Sequence, residues 1–166
     1  MNPTPTIVRT VVEIAAPPDR VFEALTDARE LLEWWGDEGS RVVDSESDVR
    51  PGGAWEVRTV DRNGDDRSFG GEYRVVDPPH RLEQTWQSSD DAEPSLVRYD
   101  LEPLDVDGVA GTRLTVTHTE SFPVSSMSAL ARHVGDAWVA VRVPYLLQPA
   151  WFAAPHRVAW ANRALR

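Results

Sequence analysis

The sequence predicts one α+β domain in which an antiparallel β-sheet packs on helices. Between Ala54 and Thr119, strand patterns follow one another with turn residues between them, and no helix of useful length interrupts the series. This succession favours an antiparallel meander over β-α-β units. A strand and two short helical segments precede the meander, and an apolar stripe of helical period follows it. We therefore expect residues 1–166 to form a single unit.

The N-terminal part predicts a strand followed by two helices. Residues Ile7–Ile14 are rich in β-branched side chains, which suit a strand. Pro17–Pro18 should open the first helix, because proline is tolerated in a first helical turn. Asp27 and Glu30 resemble a capping box for a second, short helix that Gly36 would end.

Five strands are predicted after these helices, separated by segments rich in proline, glycine and aspartate. Asn63–Gly64 marks a hairpin, because this dipeptide suits the positive φ angles of a type I′ turn. The predicted strands are Ala54–Val60, Phe69–Val76, Arg81–Gln87, Leu96–Leu101 and Arg113–Thr119.

Past Ser125 the apolar residues recur at helical spacing. Steps of three and four residues place them on one side of a long C-terminal helix, which Pro144 should kink or end. The stripe consists of Leu130, Val134, Trp138, Val141 and Tyr145.

Residues 149–166 form a tail that carries several aromatic and aliphatic side chains. Leaving such surface in water costs about 25 cal/mol per Å², so we expect the tail to dock. One arrangement is a two-fold homodimer anchored by Trp151 and Trp160. In the other, the tail folds back on its own sheet near a cavity mouth.

Four spaced motifs contain most of the tryptophans and paired glycines of the chain. They are Leu31–Trp35, Arg50–Trp55, Gly70–Leu82 and Thr85–Trp86. In this order they resemble the bacterial family named after the activator of the heat-shock-protein-90 ATPase, within the START-like and birch-pollen-allergen-like superfamily. The resemblance, which runs from about Thr6 to Glu120, implies a helix-grip fold of order β-α-α-β(5-6)-α. In that fold a curved antiparallel sheet wraps around a long C-terminal helix and leaves a cavity between them.

Strand alternation assigns the side chains of the last three strands to the two faces of the sheet. One face is apolar apart from Gln84, Tyr99 and His118, and a few polar groups in an apolar cavity are suited to orient a mostly hydrophobic ligand. Tryptophan lines pockets well, although any single tryptophan can instead simply fill the core. The residues predicted to contact a ligand are Trp35, Trp55, Trp86, Tyr99, His118 and Trp138.

The adjacent pair Trp34–Trp35 has a further implication. Consecutive helical residues point about 100° apart, so one indole can be core while the other faces elsewhere. We expect one of the two at the cavity mouth.

Three functions are compatible with these features. The first is binding of a hydrophobic or amphipathic small molecule between the sheet and the C-terminal helix. The second, implied by the resemblance, is a polyketide-cyclase-like enzyme in which His118 and Tyr99 act as acid–base groups. The third is a chaperone partner, as the family name implies. The first is favoured, because no nucleophile motif accompanies His118.

Composition excludes several other classes. The net charge of −10, with arginine as the sole basic residue besides four histidines, disfavours nucleic acid and anionic membranes as partners. Without cysteine there are no disulfides or thiolate metal sites, and the histidines lack zinc-site spacing, so we expect no metal and no cofactor. No apolar run approaches the roughly 20 residues of a membrane span, and the first residues lack signal-peptide character, so we expect a cytoplasmic protein without membrane insertion.

Overall fold

A computed structural model of the protein describes residues 6–35, 40–89 and 93–120. These residues form seven strands and two helices. In chain order the elements are β1 (Thr6–Ile14), α1 (Pro18–Thr26), α2 (Ala28–Trp34), β2 (Arg41–Ser47), β3 (Ala54–Val60), β4 (Asp66–Asp77), β5 (Arg81–Ser88), β6 (Ser95–Val106) and β7 (Val109–Glu120).

The seven strands form one antiparallel sheet in the order β1-β7-β6-β5-β4-β3-β2. Each neighbour in the sheet is also a neighbour in sequence, except that β1 closes back onto β7. The predicted α+β class is therefore confirmed, and the architecture is consistent with a helix-grip fold. The predicted C-terminal helix with Trp138, and the tail of residues 149–166, lie outside the described residues.

Strand β2 was absent from the sequence prediction. Its sequence, Arg-Val-Val-Asp-Ser-Glu-Ser, has too few apolar residues for a period-two pattern, and a register shift between Val42 and Asp44 interrupts its pairing with β3. Backbone pairing with β3, rather than side-chain propensity, therefore makes this segment a strand.

Asn63–Gly64 lies in the hairpin between β3 and β4, as predicted, but the turn is not of type I′. Gly64 has φ 87°, but Asn63 does not share a positive φ. The Asp61 carboxylate instead accepts the backbone N–H of Asn63 at 2.7 Å and of Asp65 at 3.0 Å, which stabilises a longer loop.

A two-residue hairpin loop with both residues at positive φ occurs between β6 and β7. Asp107 has φ 54° and Gly108 has φ 84°, the combination that a type I′ turn requires. Asp105 supports this turn by accepting the Gly108 N–H at 2.7 Å.

The capping box predicted for α2 is half correct. Asp27 is the N-cap and accepts the Arg29 N–H at 2.7 Å. The Glu30 carboxylate accepts instead from Arg20 Nη1 on α1, at 2.7 and 2.8 Å. The Glu30 carboxylate thus binds Arg20 on the neighbouring helix instead of the backbone N–H of Asp27. This ion pair links α1 to α2. Helix α2 ends at Trp34; Gly36 lies outside the described residues.

The core lies on one face of the sheet, under the two helices. Helix α1 packs against β6 and β7, and α2 packs against β2. Fully buried aliphatic side chains from a helix and three strands meet there. They include Val21, Val57, Leu82 and Leu114. The buried Thr112 hydroxyl donates to Ala16 O at 2.7 Å, which fixes β7 to the segment between β1 and α1.

Tyr73 on β4 is a buried titratable group within this core. Its side chain is 1% exposed, and its hydroxyl is hydrogen-bonded to Ser47 Oγ on β2 at 2.7 Å. Burial raises the pKa of Tyr73 above the ordinary value of 10.0, and the hydrogen bond with Ser47 opposes this shift.

We expect Tyr73 to make the protein less stable in alkali. Because its folded-state pKa exceeds its unfolded-state pKa, the unfolded chain loses the proton first as the pH rises past about 10. The free energy of unfolding should fall from there up to the folded-state pKa, and Tyr73 should contribute no pH dependence at neutral pH. Urea unfolding of wild type and Tyr73→Phe across this range provides the test: an equally steep alkaline loss in both proteins would contradict it.

Candidate functional site

Three neighbouring strands present one continuous buried face. Cross-strand partners point to the same side of a sheet, and the register joins Leu82 to Tyr99 and Tyr99 to Val116. The next such row joins Gln84, Val97 and His118. All of these side chains are buried, so the predicted division of β5, β6 and β7 into two faces is correct. We call this buried side the inner face.

A chain of ring contacts runs along the inner face. Trp35 contacts Trp55 and Phe69, with centroid separations of 5.5 and 6.1 Å. Phe69 contacts Trp86 at 5.4 Å, and the Trp86 ring meets His118 edge-on at 5.9 Å. We call these five residues the aromatic row. It brings together four of the predicted ligand-contacting residues.

Trp34 and Trp35 separate as the sequence predicts. The Trp34 indole is 2% exposed and donates its Nε1–H to Ala24 O on α1 at 2.8 Å. Trp35 follows as the C-cap residue of α2, is half-buried, and begins the aromatic row. Of the two, Trp35 is therefore the residue that we expect at the cavity mouth, and this position stays a prediction.

The Trp55 indole reaches across β4 to β5, past the position of Gly71, which has no side chain. It lies opposite Gly71 in the register, and its Nε1–H donates to Thr85 O on β5 at 3.1 Å. A Cβ at position 71 would meet that same carbonyl oxygen at 2.0 Å. The absence of a side chain at Gly71 therefore allows β4 and β5 to approach closely and leaves the Thr85 carbonyl in reach of the indole.

The row ends in a small buried polar cluster. His118 Nε2 lies 2.6 Å from Ser95 Oγ, and the Ser95 hydroxyl donates to Trp86 O at 3.1 Å. Either atom can donate in the Ser95–His118 bond, according to the histidine tautomer. Both side chains are less than 5% exposed. The cluster places a hydroxyl and an imidazole beside an otherwise aromatic surface.

The two remaining predicted ligand contacts have different outcomes. Tyr99 is buried on the inner face between Leu82 and Val116, in the row of side chains beside the one that contains His118. It lies outside the aromatic row as defined by ring contacts. Trp138 lies outside the described residues, and its role stays a prediction.

Sequence reasoning missed Phe69 and Ser95. Phe69 was placed at the start of a predicted strand, and its alternation with Gly71 and Tyr73 on β4 could have assigned it to the inner face. Ser95 faces Trp86 across β5 and β6, a pairing that the sequence shows only once the register is known.

The opposite face of the sheet carries a groove of about 450 Å³ with a different character. Half of its lining residues are charged, and Asp100 accepts from Arg81 at 2.7 Å and from Arg98 at 2.9 Å. The hydrogen bond to Asp100, followed by its charge, raises the pKa of Arg81. Paired, solvated charges do not suit an apolar ligand, so the inner face is the better candidate site.

Two further features are absent from the described residues. Within residues 6–35, 40–89 and 93–120, no cluster of three or more His, Asp or Glu side chains is arranged to hold a metal ion. Neither of the two helices in this part of the chain is long and apolar enough for a membrane span.

Comparison with solved structures finds the same fold in several organisms. Protein CV1439 from Chromobacterium violaceum is 25% identical, with a TM-score of 0.72 over 86% of this chain and 97% of that chain. The SPO3351 protein from Silicibacter pomeroyi is 27% identical, with a TM-score of 0.68 and the same coverage of 86% and 97%. PFC0360w, an HSP90 activator from Plasmodium falciparum, is 21% identical, with a TM-score of 0.58 over 80% and 86% of the two chains, which is a likeness of fold alone.

Comparison with curated proteins gives no match. Residues 15–139, which include both helices and all strands from β2 to β7, match the family described as Activator of Hsp90 ATPase homolog 1-like protein. This match covers most of the chain and confirms the resemblance carried by the tryptophan and glycine motifs. The chain belongs to the family of activator of Hsp90 ATPase homolog 1-like proteins.

Proposed function

We propose that the protein binds a hydrophobic or amphipathic small molecule against the aromatic row. The observation that carries the proposal is that Trp35, Phe69 and Trp86 are only half-buried although each contacts the next. Partly exposed aromatic surface is costly in water, and a ligand that covers it would recover that free energy. Aromatic side chains with a few polar groups are the usual lining of small-molecule sites.

The polar cluster supports an amphipathic ligand over a purely apolar one. His118 and Ser95 form a buried pair beside Trp86 at one end of the row. A ligand with one polar group could place it there, while its apolar body lies along Phe69 and Trp35. The polar contact would fix the orientation of the ligand, and the aromatic contacts would supply most of the affinity.

The burial of the Ser95–His118 pair favours binding over catalysis. His118 Nε2 lies 2.6 Å from Ser95 Oγ, and the Ser95 hydroxyl also lies 3.1 Å from Trp86 O, so both groups are already hydrogen-bonded within the core. The cyclase-like alternative uses His118 and Tyr99 as acid–base groups, and Nε2 would first have to leave Ser95. The chaperone-partner alternative draws on the family description and stands as an outcome of the test below.

We expect freshly purified protein to carry a small molecule in native mass spectrometry and to bind a fluorescent hydrophobic probe saturably. Trp86→Ala should weaken probe binding about tenfold, because the ring loses its contacts with both the probe and its aromatic neighbours. Trp86→Phe should have a smaller effect, since it keeps a ring.

Val75→Ala is the matched control, because Val75 is an exposed apolar side chain on the same sheet. It should leave probe affinity unchanged. Absence of saturable binding in the wild type would refute the ligand-binding proposal. If the protein then stimulates the ATPase of the heat-shock-protein-90 chaperone, the chaperone-partner function replaces it.

A further inference from the structure

The two edge strands of the sheet differ in how they are protected. Edge strands expose unpaired N–H and C=O groups, and proteins blunt them with charges, bulges or a covering helix. Strand β2 has all three protections: it carries three charged residues, its register shifts after Val42, and α2 packs against it.

Strand β1 at the other edge lacks the bulge and carries two charged residues, against three in the shorter β2. It pairs residue for residue with β7 over nine positions, and seven of its nine residues are β-branched. Ile7 and Val11 are 62% and 37% exposed. Among the described residues, no strand pairs with its other edge. Such a straight, β-branched edge is suited to accept another strand.

We propose that β1 pairs in antiparallel fashion with β1 of a second copy, about a two-fold axis at Val11, and so joins two seven-stranded sheets into one. In this register Val11 lies opposite the partner's Val11, and Arg9 lies opposite the partner's Glu13. Each copy supplies one of each charge, so the symmetric pair contains two Arg–Glu contacts on the same face of the joined sheet.

The charges of β1 are available for this pairing. Arg9 makes no ion pair within the described part of the chain, and its side chain is exposed. Glu13 accepts from Arg113 on β7 through Oε1 at 3.0 Å, which leaves Oε2 free to accept from the partner's Arg9. The dimer would thus extend an existing ion pair across the two-fold axis.

Other registers of β1 against a second β1 give less favourable partners for Arg9 and Glu13. A two-fold axis at Arg9 or at Glu13 would set two like charges directly opposite each other, which is destabilising. An axis at Thr10 or at Val12 would place Arg9 or Glu13 against an apolar residue. Of the five axes from position 9 to position 13, the Val11 axis alone sets opposite charges face to face. The sequence of β1 therefore specifies a register as well as an edge.

Charge-reversal variants test this pairing directly. Arg9→Glu gives a strand with two acidic residues, and Glu13→Arg gives a strand with two basic residues. Each variant alone should dissociate about tenfold or more readily than the wild type, because two attractive pairs become repulsive. In an equimolar mixture, every acidic residue of one copy would face a basic residue of the other, so a heterodimer should form. Sedimentation and light scattering measure all three samples.

Arg58→Glu is the matched control, since it makes the same change in net charge on β3, away from β1. It should leave the dimer intact. A wild type that stays monomeric at every concentration would overturn the proposal. So would a dimer that neither charge reversal weakens; if truncation after Leu147 dissolves that dimer, the C-terminal tail forms the interface instead.

Discussion

Replacing Gly71 with alanine should lower the free energy of unfolding by about 3 kcal/mol or more, the upper range for overpacking a core. The new Cβ would lie 2.0 Å from Thr85 O and 2.6 Å from Thr85 C, both backbone atoms of a central strand. No rotamer can relieve contact with backbone, so β4 and β5 would have to move apart. Urea unfolding followed by circular dichroism measures the loss.

The same variant should disturb the candidate site. Separation of β4 from β5 would move Thr85 O away from the Trp55 indole, which now donates to it at 3.1 Å. Gly64→Ala is the control: residue 64 has φ 87° but no atom within 4 Å of the new Cβ, so backbone strain alone should cost about 1–2 kcal/mol. Equal losses in the two variants would show that the close approach at Gly71 is not the controlling feature.

Replacing Trp34 with alanine should lower the free energy of unfolding by about 3–5 kcal/mol, as is usual when a buried large aromatic side chain is removed. Trp34 joins the two helices, because its indole N–H satisfies Ala24 O in the last turn of α1, where helix carbonyls lack intrahelical partners. Its ring also contacts that of Trp35 at 5.4 Å. We therefore expect the variant to bind the hydrophobic probe more weakly as well, since Trp35 would lose its support.

Trp34→Phe separates the hydrogen bond from the packing. It keeps much of the buried volume and removes the donor, so it should cost about 1–3 kcal/mol, the penalty for an unsatisfied buried acceptor. Thermal or urea unfolding of both variants gives the two values. A Trp34→Ala loss below that of Trp34→Phe would contradict the assignment of Trp34 as the link between α1 and α2.

The sequence was sufficient to predict the strands that bury one face and to assign their side chains to that face. In β5, β6 and β7, apolar residues alternate with charged or other polar ones, so Leu82, Tyr99 and Val116 could be assigned to the inner face from the sequence alone. Strand β2 was not predictable, because its side chains carry no such alternation and its structure depends on a partner strand. The conformation of the loop between β3 and β4 was not predictable either. It depends on hydrogen bonds to the Asp61 side chain, which override the preference of the Asn63–Gly64 pair for a type I′ turn.

The candidate site was predictable only in part. Composition and alternation identified Trp35, Trp55, Trp86 and His118 as candidate site residues. They did not reveal that ring contacts connect these residues. Contact between Trp35 and Phe69 joins a helix end to a strand, and periodicity within one element says nothing about such a distance. The Ser95–His118 bond likewise depends on the registers of β5, β6 and β7.

The pairing of β1 with β7 has a consequence for synthesis of the chain. Glu13 and Arg113, which join these strands, are 100 residues apart. At about 5–20 residues per second, a ribosome makes β7 roughly 5 to 20 s after β1. Throughout that interval a nascent chain exposes both edges of a segment with seven β-branched residues, a pattern prone to aggregation. Arg9 and Glu13 are the two charges within it, and they interrupt the apolar run as gatekeeper residues until β7 arrives.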